Sequence, residues 1–119
     1  MNKINPQIEV LKPWGKEIWF AQTDDYMGKV LIINPGEQVS LHRHDEKEET
    51  MYIWDGVIQV SGDIQGTISK TMGPGSTLHV CPGFNHSMKC ISTKPAILFE
   101  ASTPHPEDSV RIKDYYNRD

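Results

Sequence analysis

His42, His44, Glu49 and His86 are the residues of this 119-residue chain whose types and spacing point to chemistry. Residues two apart on a strand face the same side, so His42 and His44 aim at one point. A carboxylate from the next strand and a third imidazole from a distant hairpin complete a set of three nitrogens and one oxygen. Such a set suits a divalent cation and leaves positions open for water or a substrate. Manganese, iron, zinc, nickel and cobalt all accept these donors, so the residue types leave the ion's identity open. A lone His-x-His pair is a weak signal. Here glycines frame it: Gly36 and Gly56 bracket the segment that carries His42, His44 and Glu49, and Gly83 lies just before His86. Turns at such positions need a permissive backbone.

The elements that must position these residues are short strands cut by Gly and Pro. Glu17–Phe20, Lys29–Ile33, Val39–His44, Thr50–Trp54, Val57–Val60, Thr67–Thr71, Thr77–Val80, His86–Ile91 and Ala96–Ala101 read as strands. Pro13-Trp14-Gly15, Asn34-Pro35-Gly36, Ser61-Gly62-Asp63, Gln65-Gly66, Gly73-Pro74-Gly75 and Pro82-Gly83 read as turns, and Asp55-Gly56 as a hairpin turn. Many short strands at regular spacing indicate an all-β sandwich or barrel. The charged tail, Glu107–Asp119, is open to a strand, a short helix or an extended arm.

Composition bounds the rest. A chain this short makes one domain with one core. The net charge of −4 invites neither nucleic acid nor an anionic membrane. Asp45, Glu46, Glu48 and Glu49 surround Lys47, a run that reads as a solvated loop with one candidate ligand in it. Met1–Val10 shows no signal-peptide pattern, and the longest apolar run, Val30–Ile33, is far too short to span a bilayer. The expectation is a cytoplasmic, reduced protein. Cys81 and Cys90 form no disulfide framework and read as small buried hydrophobes, although a bridge across the turn between them is geometrically open.

The run Gly36–Gly56 resembles the first cupin motif at both framing glycines, both histidines and the glutamate. Counting back from Gly56 selects Glu49 over Glu48, as does alternation with Met51 and Ile53. Gly75–His86 resembles the second motif, with Cys81 in place of its usual proline; Cys90, four after His86, stands where asparagine is usual. The resemblance implies a cupin double-stranded β-helix, a jelly-roll barrel, as a single domain over residues 1–119. Its N-terminal arm would cover 1–16 and its C-terminal tail 104–119.

A finer resemblance spans nearly the whole chain. Lys12-Pro13-Trp14-Gly15, then Tyr26, Lys29, Pro35-Gly36 and Ser40-Leu41, are similar to the type II phosphomannose isomerase cupin. So are Glu100-Ala101-Ser102 and Asp108-Ser109-Val110-Arg111 with Asp114, Tyr116 and Arg118. That module often ends bifunctional mannose-1-phosphate guanylyltransferases, whose nucleotidyltransferase half lies outside this sequence. His42 stands where that family usually has glutamine.

What the resemblance implies is aldose–ketose isomerisation of a sugar or sugar phosphate. One divalent metal on His42, His44, Glu49 and His86 would polarise the carbonyl, Lys29 or Glu100 would be the acid/base, and Arg111 would bind phosphate. Met51 and Ile53 would line the interior and exclude water. Each role has a plainer alternative: Lys29 a solvent-facing strand position, Glu100 an ion pair, Arg111 a salt bridge across a subunit interface. Two other classes stay open, an iron dioxygenase and a carbohydrate-binding module without turnover. His79 is expected to face away from the site, His105 to lie in a surface loop, and Trp14 to pack in the core. Tyr52 and Trp54 are expected on the outer face or a dimer seam. The arm and tail suggest a homodimer in which they cover sheet edges.

Overall fold

The computed structural model describes residues 2–4, 7–64, 67–105 and 108–116, and these contain no helix. The Gln65-Gly66 turn, Glu107 and Arg118 lie outside the described residues. Eleven strands are formed: β1 Ile8–Lys12, β2 Gly15–Gln22, β3 Met27–Ile33, β4 Leu41–Arg43, β5 Glu49–Asp55, β6 Ile58–Ile64, β7 Thr67–Met72, β8 Thr77–Val80, β9 His86–Cys90, β10 Ala96–Ser102 and β11 Val110–Lys113. β1 falls in the stretch expected to be an arm. It pairs with β2 around Pro13-Trp14, and β11, from the tail, pairs with β4. No helix here is long and apolar enough to cross a membrane.

The strands make two antiparallel sheets, β1-β2-β3-β10-β5-β8 and β11-β4-β9-β6-β7. The alternation of side chains builds the interior between them. On β5, Glu49, Met51 and Ile53 are buried while Thr50, Tyr52 and Trp54 are exposed. On β10, Ala96, Leu98 and Glu100 are buried. Register then stacks these inward positions into layers. Ile33 lies opposite Ala96; Leu31 opposite Leu98, which also faces Ile53; Lys29 opposite Glu100, which also faces Met51; and Met27 opposite Ser102, which also faces Glu49. Across the interior, Ile58 lies opposite both Cys90 and Met72. Trp14, Ile33, Ile53, Ile58, Cys90 and Leu98 are all 0–2% exposed, so the apolar layers form one dry core.

Two turns differ from the sequence expectation. Asp55-Gly56 does not close a hairpin: β5 belongs to one sheet and β6 to the other. Gly56 has φ 79°, and a β-carbon there would lie 2.7 Å from Ala96 Cα, so the chain crosses between sheets tightly against the start of β10. Val57 is then held by Ser92 Oγ and by the N–H of Ile91 rather than by a partner on β5. Likewise Pro82-Gly83 carries the chain from β8 in one sheet to β9 in the other, so His86 arrives by a crossing and not on a hairpin. β4 pairs with β9 and β11, not with β5. The four candidate ligands therefore come from both sheets and meet between them.

Candidate metal centre

His42 lies on β4, directly opposite His86 at the start of β9, and His44 follows one residue beyond β4. The three rings have centroids 4.3–5.5 Å apart, and all three side chains are buried. One nitrogen from each lies within 4.8 Å of the others. Glu49 enters from the other sheet. Its Oε1 stands 3.1 Å from His86 Nε2 and 3.7 Å from His44 Nε2. Glu48 is exposed and points elsewhere.

The hydrogen bonds of the rings decide what they can hold. His42 Nδ1 donates to the Ser40 carbonyl at 2.7 Å, His44 Nδ1 to the Asp108 carbonyl at 2.5 Å and His86 Nδ1 to the Phe84 carbonyl at 3.1 Å. Those bonds place a proton on each Nδ1, so that in a neutral ring Nε2 is left as the lone pair available to an ion. Burial, and then the neighbouring His86, push the His42 pKa down to about 3, so that ring is neutral. Burial opposes ionisation of Glu49, yet hydrogen bonds from His44 and His86, made when no ion occupies their Nε2 atoms, and the Lys47 ammonium outweigh it and hold the carboxyl well below its usual range. Three imidazole Nε2 atoms and an anionic oxygen thus face one another in a dry site. A divalent cation satisfies all four at once, whereas protons would set like charges side by side. The residues fit a metal.

Behind Glu49 lies a charge that sequence reasoning missed. Lys47 is 4% exposed and its Nζ lies 2.9 Å from Glu49 Oε2 and 2.8 Å from Glu100 Oε2. These are ion pairs rather than well-angled hydrogen bonds, and both oxygens are otherwise unpartnered. Burial disfavours the Lys47 ammonium, but Glu100 and Glu49 together raise its pKa and keep it charged. Burial and the charge of Glu49 raise the pKa of Glu100, against the pull of Lys47 and Lys29. Lys29 is buried, not solvent-facing. Its Nζ lies 3.5 Å from Glu17 and 4.8 Å from the centre of the Trp19 ring. Lys29, Glu100 and Met51 therefore share one inward layer beside the ligand cluster. Arg111 does not belong to that layer. It is exposed on the edge strand β11, opposite His42 in register.

Two further positions hold the cluster in shape. The Asp108 carboxylate accepts the backbone N–H groups of Asp45, Glu46 and Lys47 at 3.2, 2.6 and 2.8 Å, while its own carbonyl orients His44. It ties the tail to the loop between β4 and β5. Gly62 lies opposite His86 with φ 124°, and a β-carbon there would meet the Asn85 carbonyl oxygen at 2.2 Å. Only glycine lets β6 approach the His86 backbone so closely.

A cavity of about 450 Å³ reaches the cluster at His86. Val60, Met72, Leu78, Val80 and Phe84 give it apolar walls; Lys70, Thr77, His79 and Cys81 supply its polar groups. Lys29 and Glu100 are not among its walls. His79 is half exposed and turned toward Glu48, and His105 pairs with Thr103 at the surface. Trp14 is core, and Tyr52 and Trp54 are exposed on the outer face. Cys90 is buried, as expected of both cysteines, but Cys81 is exposed; both are free.

Known proteins share this chain's sequence pattern and fold. Mannose-1-phosphate guanylyltransferase of Escherichia coli (strain K12) is 30% identical over 113 residues, 92% of this chain. The chain spans 23% of that relative's length. Among solved structures, the capsular polysaccharide assembling protein CapF of Staphylococcus aureus superposes with a TM-score of 0.77 at 16% identity, over 92% of this chain and 35% of that one. A sugar phosphate isomerase of the cupin superfamily from Silicibacter pomeroyi gives 0.64 at 18% identity, over 76% and 60%. At such identities these two share the fold. Residues 29–105 match the family described as Cupin domain, a stretch that runs from within β3 to beyond β10 and holds all four donors; the chain belongs to that family.

Proposed function

We propose that this chain binds one divalent metal on His42, His44, His86 and Glu49 and acts on a sugar or sugar phosphate as an aldose–ketose isomerase. The observation that carries the reading is the charge buried beside the cluster: Lys29, Lys47 and Glu100 share the interior with four metal-type donors. Aldose–ketose isomerisation moves a proton between adjacent carbons, so it needs a group that takes and returns a proton next to an electrophile. A bound divalent ion supplies the electrophilic charge at the substrate oxygen. Glu100 is the proposed proton carrier, with Lys47 holding its carboxylate toward Glu49 and Lys29 facing it from β3. Substrate must open the wall between cavity and Glu100 to reach it. Arg111 is proposed to take the phosphate, since a guanidinium matches that anion in a fork, and Met51 to wall off water. The relative's name, mannose-1-phosphate guanylyltransferase, supports a sugar-phosphate substrate.

The test is exchange of the C2 proton of hexose and pentose phosphates with solvent deuterium, using protein loaded in turn with manganese, zinc, nickel, cobalt and iron. Exchange that disappears in Glu100→Gln supports the assignment; none across the panel overturns it. The apolar cavity walls favour a second reading, oxygen chemistry at an iron centre. Substrate-dependent oxygen consumption by iron-loaded protein would select it. We also propose a homodimer, because Tyr52, Trp54 and Phe99 expose aromatic surface on the outer face of the six-stranded sheet. Sedimentation as a monomer at micromolar concentration would refute this.

A further inference from the structure

A second group of donors lies outside the barrel. His79, on β8, and Cys81, just after it, are two apart and share a face. Glu49 pairs with Val80 and Thr50 with His79, so continuing the register brings Glu48 beside Cys81. The three side chains meet: His79 Nε2 lies 2.5 Å from Glu48 Oε2 and 3.9 Å from Cys81 Sγ, and all three ligand atoms are within 4.8 Å of one another. Glu48 and His79 are about half exposed and Cys81 is exposed, so the cluster is open to ions from solvent.

The donor set has a chemical identity unlike that of the inner cluster. It offers one oxygen, one nitrogen and one sulfur, and a thiolate selects borderline or soft ions over hard ones. An ion held at ~2.0–2.3 Å from each atom sets neighbouring donors roughly 3–4 Å apart. The sulfur–nitrogen separation already meets this. The oxygen–nitrogen contact has to lengthen by less than about 1 Å, which an exposed glutamate does by changing rotamer. His79 and Cys81 also wall the cavity that ends at His86. An ion here adds positive charge to a cavity that already carries Lys70.

We propose that Glu48, His79 and Cys81 form a second metal site, taking a borderline-soft divalent cation of the zinc type beside the cavity that leads to the inner cluster. Binding replaces the thiol proton, which is released to solvent, and leaves a fourth coordination position for water.

Cobalt(II) titrated into the metal-stripped full chain tests this, because a thiolate-to-cobalt charge-transfer band reports only a site with sulfur. The wild type should take two equivalents and show the band, and zinc should displace it. Cys81→Ser and His79→Ala should each lose one equivalent and the band, while His86→Ala keeps the band and loses the other equivalent. A wild type without the band, or a band that survives in Cys81→Ser or His79→Ala, overturns the proposal. Cys90 is buried against Ser92 and the Lys94 carbonyl, and Cys90→Ala should leave the band intact. The inner cluster has no sulfur, so its failure and this one are read separately.

Discussion

The two ends of the barrel interior are built from the same strands and are opposite in character. On β3 the inward positions run Ile33, Leu31, Lys29, Met27; on β10 they run Ala96, Leu98, Glu100, Ser102. A single step of the pleat, about 7 Å, separates a fully apolar layer, Leu31–Leu98–Ile53, from one that holds Lys29 and Glu100. The apolar end excludes water and stabilises the fold by burial and dispersion. The charged end takes its ions out of water and recovers that only through mutual pairing. The core makes the site possible, while the site is a burden the core must offset.

Removing the cation that Glu49 and Glu100 share should have the largest effect. We expect Lys47→Met to destabilise by about 3–5 kcal/mol, because Glu49 and Glu100 would lose the buried cation they share. Denaturant unfolding followed by tryptophan fluorescence measures it. Adding Glu100→Gln should recover part of the loss, as one of the stranded charges is then gone. A neutral Lys47→Met would mean the interior is wet.

At the apolar end, Leu98→Ala should cost about 2–5 kcal/mol by transfer and cavity terms, since Leu98 is fully buried. Its signature differs from that of Lys47. The variant should still bind the inner metal with unchanged stoichiometry, read by metal analysis after gel filtration, and saturating metal should stabilise it as much as it stabilises the wild type. Loss of metal in Leu98→Ala would show that the two ends are one unit.

Why one end was legible in the sequence and part of the other was not follows from local patterning. Alternation identified most strands and the inward face of β5, and it places Glu49, not Glu48, toward the histidines. The same alternation reaches back to Lys47, which shares its parity with Glu49 and Met51 and is buried. Lys47 was read as loop because four acids surround it; the sign of a charge run says nothing of which member turns inward. Turn chemistry located Asp55-Gly56 and Pro82-Gly83 but not their destinations. A glycine with positive φ serves a hairpin and a crossing between sheets equally well, and only the packing against β10 separates them. β1 was missed because its alternate residues are largely exposed at a sheet edge, so no buried stripe marks it. Asp108 is invisible to local reading, since the N–H groups it holds are over sixty residues away.

Asp108 acts on the charged end from outside the barrel. Asp108→Ala removes the acceptor for three consecutive N–H groups while leaving every ligand in place. We expect metal affinity to fall about 10-fold, the lower range for losing a group outside the ligand set that fixes the ligands' setting, with a smaller change in unfolding midpoint than Leu98→Ala gives. Isothermal titration with manganese or zinc distinguishes these effects. An affinity equal to the wild type would mean that the residue-108 carbonyl holds His44 without the carboxylate's grip on the loop.

The gentlest test sets a surface ion pair against the buried one. Lys94 Nζ lies 2.7 Å from Asp55 Oδ1, closer than Lys47 lies to either of its carboxylates, yet the two side chains are 62% and 40% exposed. Length alone would rank this pair first. Water and salt screen it, so Lys94→Ala should shift the unfolding midpoint only slightly, far less than Lys47→Met. The Lys94 bond, and then the Gly56 N–H, hold the Asp55 carboxyl below its ordinary value. Any contribution it makes is therefore present above the ordinary carboxylate range and lost as pH falls through the lowered folded value. The small difference between Lys94→Ala and wild type should shrink in acid and in high salt, whereas the Lys47→Met loss at neutral pH should persist in salt. Should the two variants lose stability equally, and equally with salt, burial would not be what separates these ion pairs, and the contrast between the charged interior and the surface would fail.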